Sequence, residues 1–381
     1  MNNLSHRIAG LRRVMQESEP VRDASHDAPT GGPVAAFVVT DMENIRYLTG
    51  FTGSNALLLV TQNDAVFFTD SRYALQSARE VADWERVVLP PGSDLAASAG
   101  ERLQQWNAQR VGFEAQQLSY AAFIALRGAL TAGTTLVPRA EAVESLRRIK
   151  DVSEIALLRA AIEIADECFE TVCLQAKAGQ TERALAWSME AFMRHDRGAE
   201  RLAFDTIVAS GPNSANIHGR ASDRVLGASG QPELLLIDFG CQKQGYNSDL
   251  TRTVVIGGPA TSAQHDLYNA VAHAQTLTLA AIRPGVIGRD VDKIARDALA
   301  AAGYGEAFAH SLGHGLGRSV HDHRALGPTS DLALAPGMVL TVEPGAYLEN
   351  FGGVRIEDVV LVTDDGCEVL TRAPKGLLEI G

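Results

Sequence analysis

The sequence is poor in the features that mark extracellular, membrane or nucleic-acid-binding proteins. It has only 4 cysteines in 381 residues. Cys168, Cys173, Cys241 and Cys367 make neither a C-x-x-C pair nor a disulfide framework. Reduced, mostly buried thiols in a cytoplasmic protein are the corresponding expectation. No apolar run reaches the length of a bilayer span, so no membrane partner is expected. Positive charge is short: 34 Lys and Arg stand against 46 Asp and Glu, for a net charge of −12. That balance tilts against nucleic acid and acidic membranes, because phosphate binding needs a basic surface. The first residues, MNNLSHRIAGLRRVMQ, lack the apolar core and small-residue cleavage site of a secretory leader. They read instead as an amphipathic helix through Leu4, Ile8, Leu11 and Met15. Short-period repeats and low-complexity tracts are also missing.

What is present suits a globular chain of two domains, with 46% hydrophobic residues and a large core. Residues 18–33 are polar and rich in Pro and Gly, and read as a loop. From Val34 to about Arg139, the apolar segments VAAFVV, ALLLV, AVFF, RVVL and RVGF alternate with helical stretches near 73–81, 95–106 and 120–130. This predicts an α/β N-terminal domain with a mixed or parallel sheet. ALLLVTQNDAVFF reads as a hairpin turning at Gln62–Asp64. A connector helix is expected over 141–150, and the domains are placed at 1–144 and 145–381. Asp151 and Glu154 then form a capping box for a helix that Gly179 ends. Another helix is expected over 181–195. After Leu202 the pattern turns β-rich (FDTIVAS, ELLLIDFG, TRTVVIG), continues with helices near 265–282 and 290–301, and closes with MVLTVEP and VRIEDVVLVT.

Four carboxylates and one imidazole stand in order in this second half: Asp238, Asp249, His314, Glu343 and Glu357. Each has a Gly-flanked or strand-like context. Asp238 and Asp249 lie on strands joined by a Gly-containing turn. Glu343 and Glu357 lie on later strands joined by a Gly-containing loop. Each hairpin is expected to present two carboxylates on one face. Carboxylates gathered inside a fold repel one another, and cations are the usual remedy. The set is too acidic for a structural zinc site and suits two ions of Mn²⁺, Co²⁺, Fe²⁺ or Zn²⁺. Any one of these acids alone would be read as a cap or a surface charge.

From about residue 145 to 370 the chain resembles the pita-bread metallopeptidases of the creatinase, aminopeptidase P and prolidase group. The resemblance rests on ANIHG, LLLIDFGCQKQGYNSDLTRT, SLGHGLGRSVHD, TVEPGAY and GVRIED. Upstream, NIRYLTGFTGSNALLLV and FFTDSRYALQ resemble the N-terminal domain of the Xaa-Pro branch. Methionine aminopeptidases have no such domain, and creatinase has lost metal ligands. The resemblance implies an α/β N-terminal domain plus an α+β pita-bread catalytic domain, with two divalent ions, manganese first. Asp238 would chelate one ion, Asp249 and Glu357 would bridge, and His314 and Glu343 would bind the other. Glu343 would also be the general base and acid. His218 and His321 match the two histidines that handle substrate without binding metal. His310 would line the pocket. Arg355 would hold a ligand carboxylate or substrate. Arg46 and Arg72 are candidates to reach the substrate, because in this family the upstream domain overhangs the cleft; an ion pair inside that domain is the competing reading. Arg318, and the late Pro328 after His323 and Arg324, depart from the family pattern and touch the pocket wall rather than the ligands.

The implied activity is hydrolysis of Xaa-Pro bonds at peptide N-termini, by attack of metal-bound hydroxide, in a cytoplasmic homodimer. An Xaa-Pro aminopeptidase is preferred on the NIRYLTGFTGSNA segment. The alternatives are a prolidase restricted to dipeptides, a non-peptidase C–N hydrolase, and a binding protein without catalysis. A proline-containing peptide is the expected partner.

Overall fold

The strand-and-helix alternation after Val34 builds a six-stranded mixed sheet. Its strands run in the order Glu85–Leu89, Ala65–Asp70, Ala56–Thr61, Ala36–Val39, Arg110–Glu114, Thr135–Arg139. The computed structural model describes residues 4–17 and 32–381. The chain divides into two units, Met1–Arg147 and Arg148–Gly381. Most of the loop expected over 18–33 lies outside the described residues.

In the first unit, Phe37 and Val39 face one core while Ala36 and Val38 face another. This two-sided burial explains why the strand reads as an unbroken apolar run. Ile8, Leu11 and Met15 of the N-terminal helix, Ser5–Val14, pack into the Phe37 side. The hairpin turns where expected, with Asp64 N donating to Thr61 Oγ1 at 2.8 Å. Two elements escaped the pattern. Thr135–Arg139 carries Pro138, which an edge strand tolerates. Met42–Thr49 is a helix capped by Asp41, whose side chain accepts from Asn44 N at 2.8 Å, and ended by Gly50 at φ 79°. The connector expected over 141–150 shrinks to one turn, Glu144–Arg147.

The second unit opens with the helix Val152–Thr171, started by the Asp151–Glu154 capping box. It ends at Thr171 rather than at Gly179: β-branched Thr171 and Val172 meet there, and a short 3₁₀ turn, Cys173–Gln175, follows. The helix expected over 181–195 is regular over Glu182–Ala191 and widens into a π turn, Phe192–Asp196. The strands Glu233–Phe239 and Leu250–Ile256 pair antiparallel and are buried throughout. Leu234 and Val255 pack toward the helices Ser262–Ala281 and Gly288–Ala301, whereas Leu235, Ile237 and Val254 pack toward the first two helices. A second sheet runs His323–Leu326, Gly313–Gly315, Val339–Val342, Asp358–Val362, Cys367–Val369.

VRIEDVVLVT is not one strand. Gly352–Arg355 pairs with Gly345–Leu348 in a separate hairpin, and Asp358–Val362 pairs with Val339–Val342. Ile356 and Glu357 fill the break. Beneath it, Asp358 is fully buried and meets Arg252 at 2.9 Å, Lys375 at 2.7 Å and the Thr371 hydroxyl at 2.8 Å. The Arg252 guanidinium also donates to the carbonyls of Glu357, Ala373 and Pro374. Removing one partner from such a buried pair costs about 3–5 kcal/mol.

Candidate metal centre

Each carboxylate sits where an antiparallel pair of strands ends. Asp238 pairs with Thr251, and Asp249 immediately precedes the Leu250–Ile256 strand. Val342 pairs with Asp358, so Glu343 leaves one strand where Glu357 enters the other. Glu343 and Glu357 therefore do not ride on two strands of a hairpin, as expected from the Gly-containing loop. That loop is itself the hairpin 345–355, which peels away between them. His314 is the centre of Gly313–Gly315. A Cβ on Gly313 would collide with the Thr341 carbonyl, and one on Gly315 with the His323 ring. Glycine on both sides is what lets this strand lie close enough to present the imidazole.

Asp238, Asp249 and Glu357 each bring one carboxylate oxygen within 4.8 Å of the others. His314 Nε2 lies 3.6 Å from Asp249 Oδ2 and 3.4 Å from Glu343 Oε1. The five expected residues thus form one contiguous group. Side chains of nearby residues hold one oxygen of several ligands. Thr251 Oγ1 donates to Glu357 Oε2 at 2.8 Å and accepts from Arg355 Nε at 3.1 Å. Thr341 Oγ1 donates to Glu343 Oε1 at 3.1 Å and accepts from His314 N at 3.0 Å. Arg355 Nη2 donates to Asp238 Oδ2. Asp238 Oδ1 and Glu357 Oε1 are buried without a hydrogen-bond partner. Two buried carboxylate oxygens facing other carboxylates lack what such atoms require, and an oxygen-preferring cation supplies it. The donor set therefore fits divalent metal.

The electrostatics agree. Burial raises Asp249 well above the usual carboxylate range, and Glu357, Asp238 and Glu343 add to it. Burial does the same to Glu357, reinforced by Glu343 and Asp238. Burial lifts Glu343 to about 7. Burial depresses His314, and takes His321 to about 4 with help from His314 and His218. Arg355 stays charged: burial opposes its charge, but Tyr347, Asp238 and Glu343 outweigh it.

This crowding has a measurable consequence. Glu343 has a folded-state pKa of about 7 against an ordinary 4.5, so the fold binds this proton more tightly than the unfolded chain does. Its contribution is fully present below about pH 4.5 and is lost as pH rises through about 7. Asp249 and Glu357 act in the same direction. A divalent cation takes the place of those protons. The melting-temperature gain from added Mn²⁺ over chelated protein is therefore expected to widen between about pH 5 and pH 8. A gain independent of pH would show that these carboxylates are not crowded in the fold.

The remaining expected residues are placed as follows. The His321 ring lies tilted against His314, with centroids 4.1 Å apart. His218 is exposed, in the segment after the 3₁₀ turn Gly211–Ala215, and its charge acts on His310, His321 and Glu343. His310 Nδ1 lies 2.8 Å from the Ser311 carbonyl and so carries the proton. Its Nε2, 2.9 Å from Tyr347 Oη, then accepts from that phenol, which itself accepts from Arg355 Nη1 at 2.8 Å. Burial, followed by Arg355, lowers His310 to about 4. Tyr347, Thr251 and Thr341 were not singled out in the sequence. Tyr347 stands four residues after Glu343 in the same motif, which is the signal that was available. Arg46 and Arg72 belong to the other unit. Arg72 Nε and Nη2 donate to Asp70 at 2.9 and 2.8 Å. Arg46 lies in the helix Met42–Thr49. The departures Arg318 and His323 are both buried; Arg318 sits over the Tyr246 ring and His323 over Gly315.

The family model for metallopeptidase family M24 matches residues 156–364. That for the creatinase/prolidase N-terminal domain matches residues 30–149. The Xaa-Pro dipeptidase of Pyrococcus furiosus is 41% identical over 238 residues, covering 62% of this chain and 67% of that protein. A solved Xaa-Pro dipeptidase from Bacillus anthracis superposes with a TM-score of 0.88 at 35% identity, over 99% of this chain and 100% of that one. A solved X-Pro aminopeptidase from Thermotoga maritima superposes with a TM-score of 0.82 at 36% identity, over 91% and 98%. The fold is an α/β creatinase-type N-terminal domain followed by a pita-bread domain, as expected.

Proposed function

Because the chain belongs to metallopeptidase family M24, we propose that it is a Xaa-Pro dipeptidase of the prolidase type. It would work with two divalent ions held by Asp238, Asp249, His314, Glu343 and Glu357. The observation that carries the reading is the buried carboxylate group with two unpartnered oxygens. When bound, the ions supply a Lewis acid for the scissile carbonyl and a nucleophilic water at neutral pH, manganese suiting this oxygen-rich set first, then cobalt, zinc or iron.

The chain's own residues do the rest. The Xaa-Pro bond is a tertiary amide with no N–H, so recognition must rest on the proline ring and the flanking groups. His310 stands edge-on to Phe308 and tilted against Tyr347, and offers the proline ring an aromatic wall. Thr341 fixes Glu343 Oε1, which leaves Oε2 to take a proton from the attacking water and deliver it to the departing proline nitrogen. His218 and His321 donate ring N–H groups to the carbonyl oxygen as it gains charge. Arg355 keeps Asp238 aimed inward. A cytoplasmic homodimer is the matching expectation; among the described residues no helix is long and apolar enough to cross a membrane.

The dipeptidase reading replaces the initial preference for an aminopeptidase. That preference rested on NIRYLTGFTGSNA. Asn44, Ile45, Tyr47, Leu48 and Phe51 of this stretch are buried within the first unit. Burial of these residues accounts for much of the motif through packing of that unit. The relatives named as dipeptidases support the dipeptidase reading over the aminopeptidase one. A dipeptide offers a carboxylate directly after proline, and a charge-assisted bond to it is worth about tenfold or more in binding. Ala-Pro is therefore expected to exceed Ala-Pro-Ala and longer Ala-Pro peptides in kcat/KM by at least about tenfold. Equal or faster cleavage of the longer peptides would return the assignment to an aminopeptidase.

A further inference from the structure

One buried carboxylate ties together both ends of the segment that carries His218. Glu182 has 0% exposure and opens the helix Glu182–Ala191. Its Oε1 accepts from Ser210 N at 2.7 Å, Ser210 Oγ at 2.9 Å and Asn213 Nδ2 at 3.4 Å. Its Oε2 accepts from Ser222 N at 3.1 Å and Ser222 Oγ at 2.5 Å. Ser210 ends the strand Ile207–Ser210, and Ser222 lies beyond His218. The first turn of the helix answers with its own amides: Glu182 N donates to Arg224 O and Arg183 N to Ser222 O, both at 3.0 Å.

Between these two anchor points the segment is partly exposed, with Ser214 buried and its Oγ accepting from Gly353 N at 2.9 Å. Pro212, Asn216, His218 and Arg220 all face solvent. Asn216 N and Gly219 N bond only within the segment, to Asn213 O and Asn216 O, each at 2.9 Å. Toward the metal centre, Ile217 O accepts from Arg355 Nη1 at 3.4 Å. Five donors converge on Glu182, close to the capacity of one carboxylate. Arg224 does not compete for it, because its Nη2 is paired with Glu233 at 2.6 Å.

We infer that Glu182 is a positioning residue for His218. It closes the segment 210–222 into a fixed loop and so sets where the imidazole stands over the metal centre. The inference rests on the proposed role of His218 toward substrate. Glu182 lies outside the ligand group, so its effect is separable from metal binding. Glu182→Gln sets an amide NH₂ against the backbone N–H of Ser210 or of Ser222, neither of which can accept, and this loosens one end of the loop.

The test combines kinetics and hydrogen exchange on the metal-loaded, full-length protein. Glu182→Gln is expected to lower kcat/KM for Ala-Pro by about tenfold at unchanged metal content. In a His218→Ala background the same substitution should cost almost nothing further, because both act through one imidazole. Backbone amides of residues 211–222 should exchange faster, while those of the Glu233–Phe239 strand should not change. Ser222→Ala, which removes one of the five donors to Glu182 together with the bond accepted from Arg224 N, should give the same pattern more weakly and serves if Glu182→Gln does not fold. A full additional loss in the His218→Ala background would overturn the inference. So would unchanged exchange across 211–222 in both variants, a result that holds even if the wild-type protein cleaves no Xaa-Pro peptide and the functional reading itself has failed.

Discussion

Asp249→Ala and Glu357→Ala are each expected to lose bound metal and peptidase activity together, by about 10³-fold or more in kcat/KM. Both side chains are buried, and both contribute to the group whose oxygens lie within 4.8 Å of one another. On the proposed two-ion reading either carboxylate would be shared by both ions, so its removal would weaken both. Metal analysis of the purified variants beside an Ala-Pro assay checks this. A second measurement guards against simple misfolding. Without metal, Asp249 and Glu357 are pushed above the carboxylate range by burial and by neighbouring acids. Deleting one of them relieves that repulsion. Metal-free Glu357→Ala should therefore melt no lower than metal-free wild type, and should fail to gain stability when Mn²⁺ is added. Wild-type activity that survives exhaustive chelation would end the metal reading.

The histidines should separate into two classes. His321→Ala and His218→Ala are expected to cut kcat/KM by about 10²-fold while metal content stays that of wild type. His314→Ala should lower metal content instead. The geometry behind the distinction is direct: His314 Nε2 faces Asp249 and Glu343 at 3.6 and 3.4 Å, whereas the described contact of His321 is with the His314 ring. Metal loss in His321→Ala with retention in His314→Ala would reverse the roles.

Much of this was readable from residue order. Period-two and continuous apolar runs located the central strands, and the Asp151–Glu154 pair located a helix start, because these signals are local. The candidate ligand residues were readable because each sits in a glycine-flanked or apolar context that an unpaired acid would avoid. What escaped depended on contacts distant in sequence. The break at Ile356–Glu357 exists because Gly352–Arg355 finds a different partner strand from Asp358–Val362. No local propensity marks that change. Thr251 and Thr341 look like ordinary strand residues until Glu357 and Glu343 are brought against them. Glu182 reads as a first-turn acid of a helix, a role that needs no loop at all. Peptide-length preference was less legible for a related reason: Asn44, Ile45, Tyr47, Leu48 and Phe51 of NIRYLTGFTGSNA are buried, so that segment reports packing as well as family.

The break before Asp358 also bears on the order in which the site matures. Glu357 is the last ligand in the chain, but the strand that aims it is secured by Asp358, whose partners Thr371 and Lys375 come later. The Arg252 guanidinium beneath it waits for the carbonyls of Ala373 and Pro374. During synthesis, then, every ligand leaves the ribosome before the residues that clamp the final one. Until those arrive, Asp358 lacks two of the partners and Arg252 two of the carbonyls that they have in the finished fold. The carboxylate group is thus completed by contacts from residues that follow its last member in the sequence.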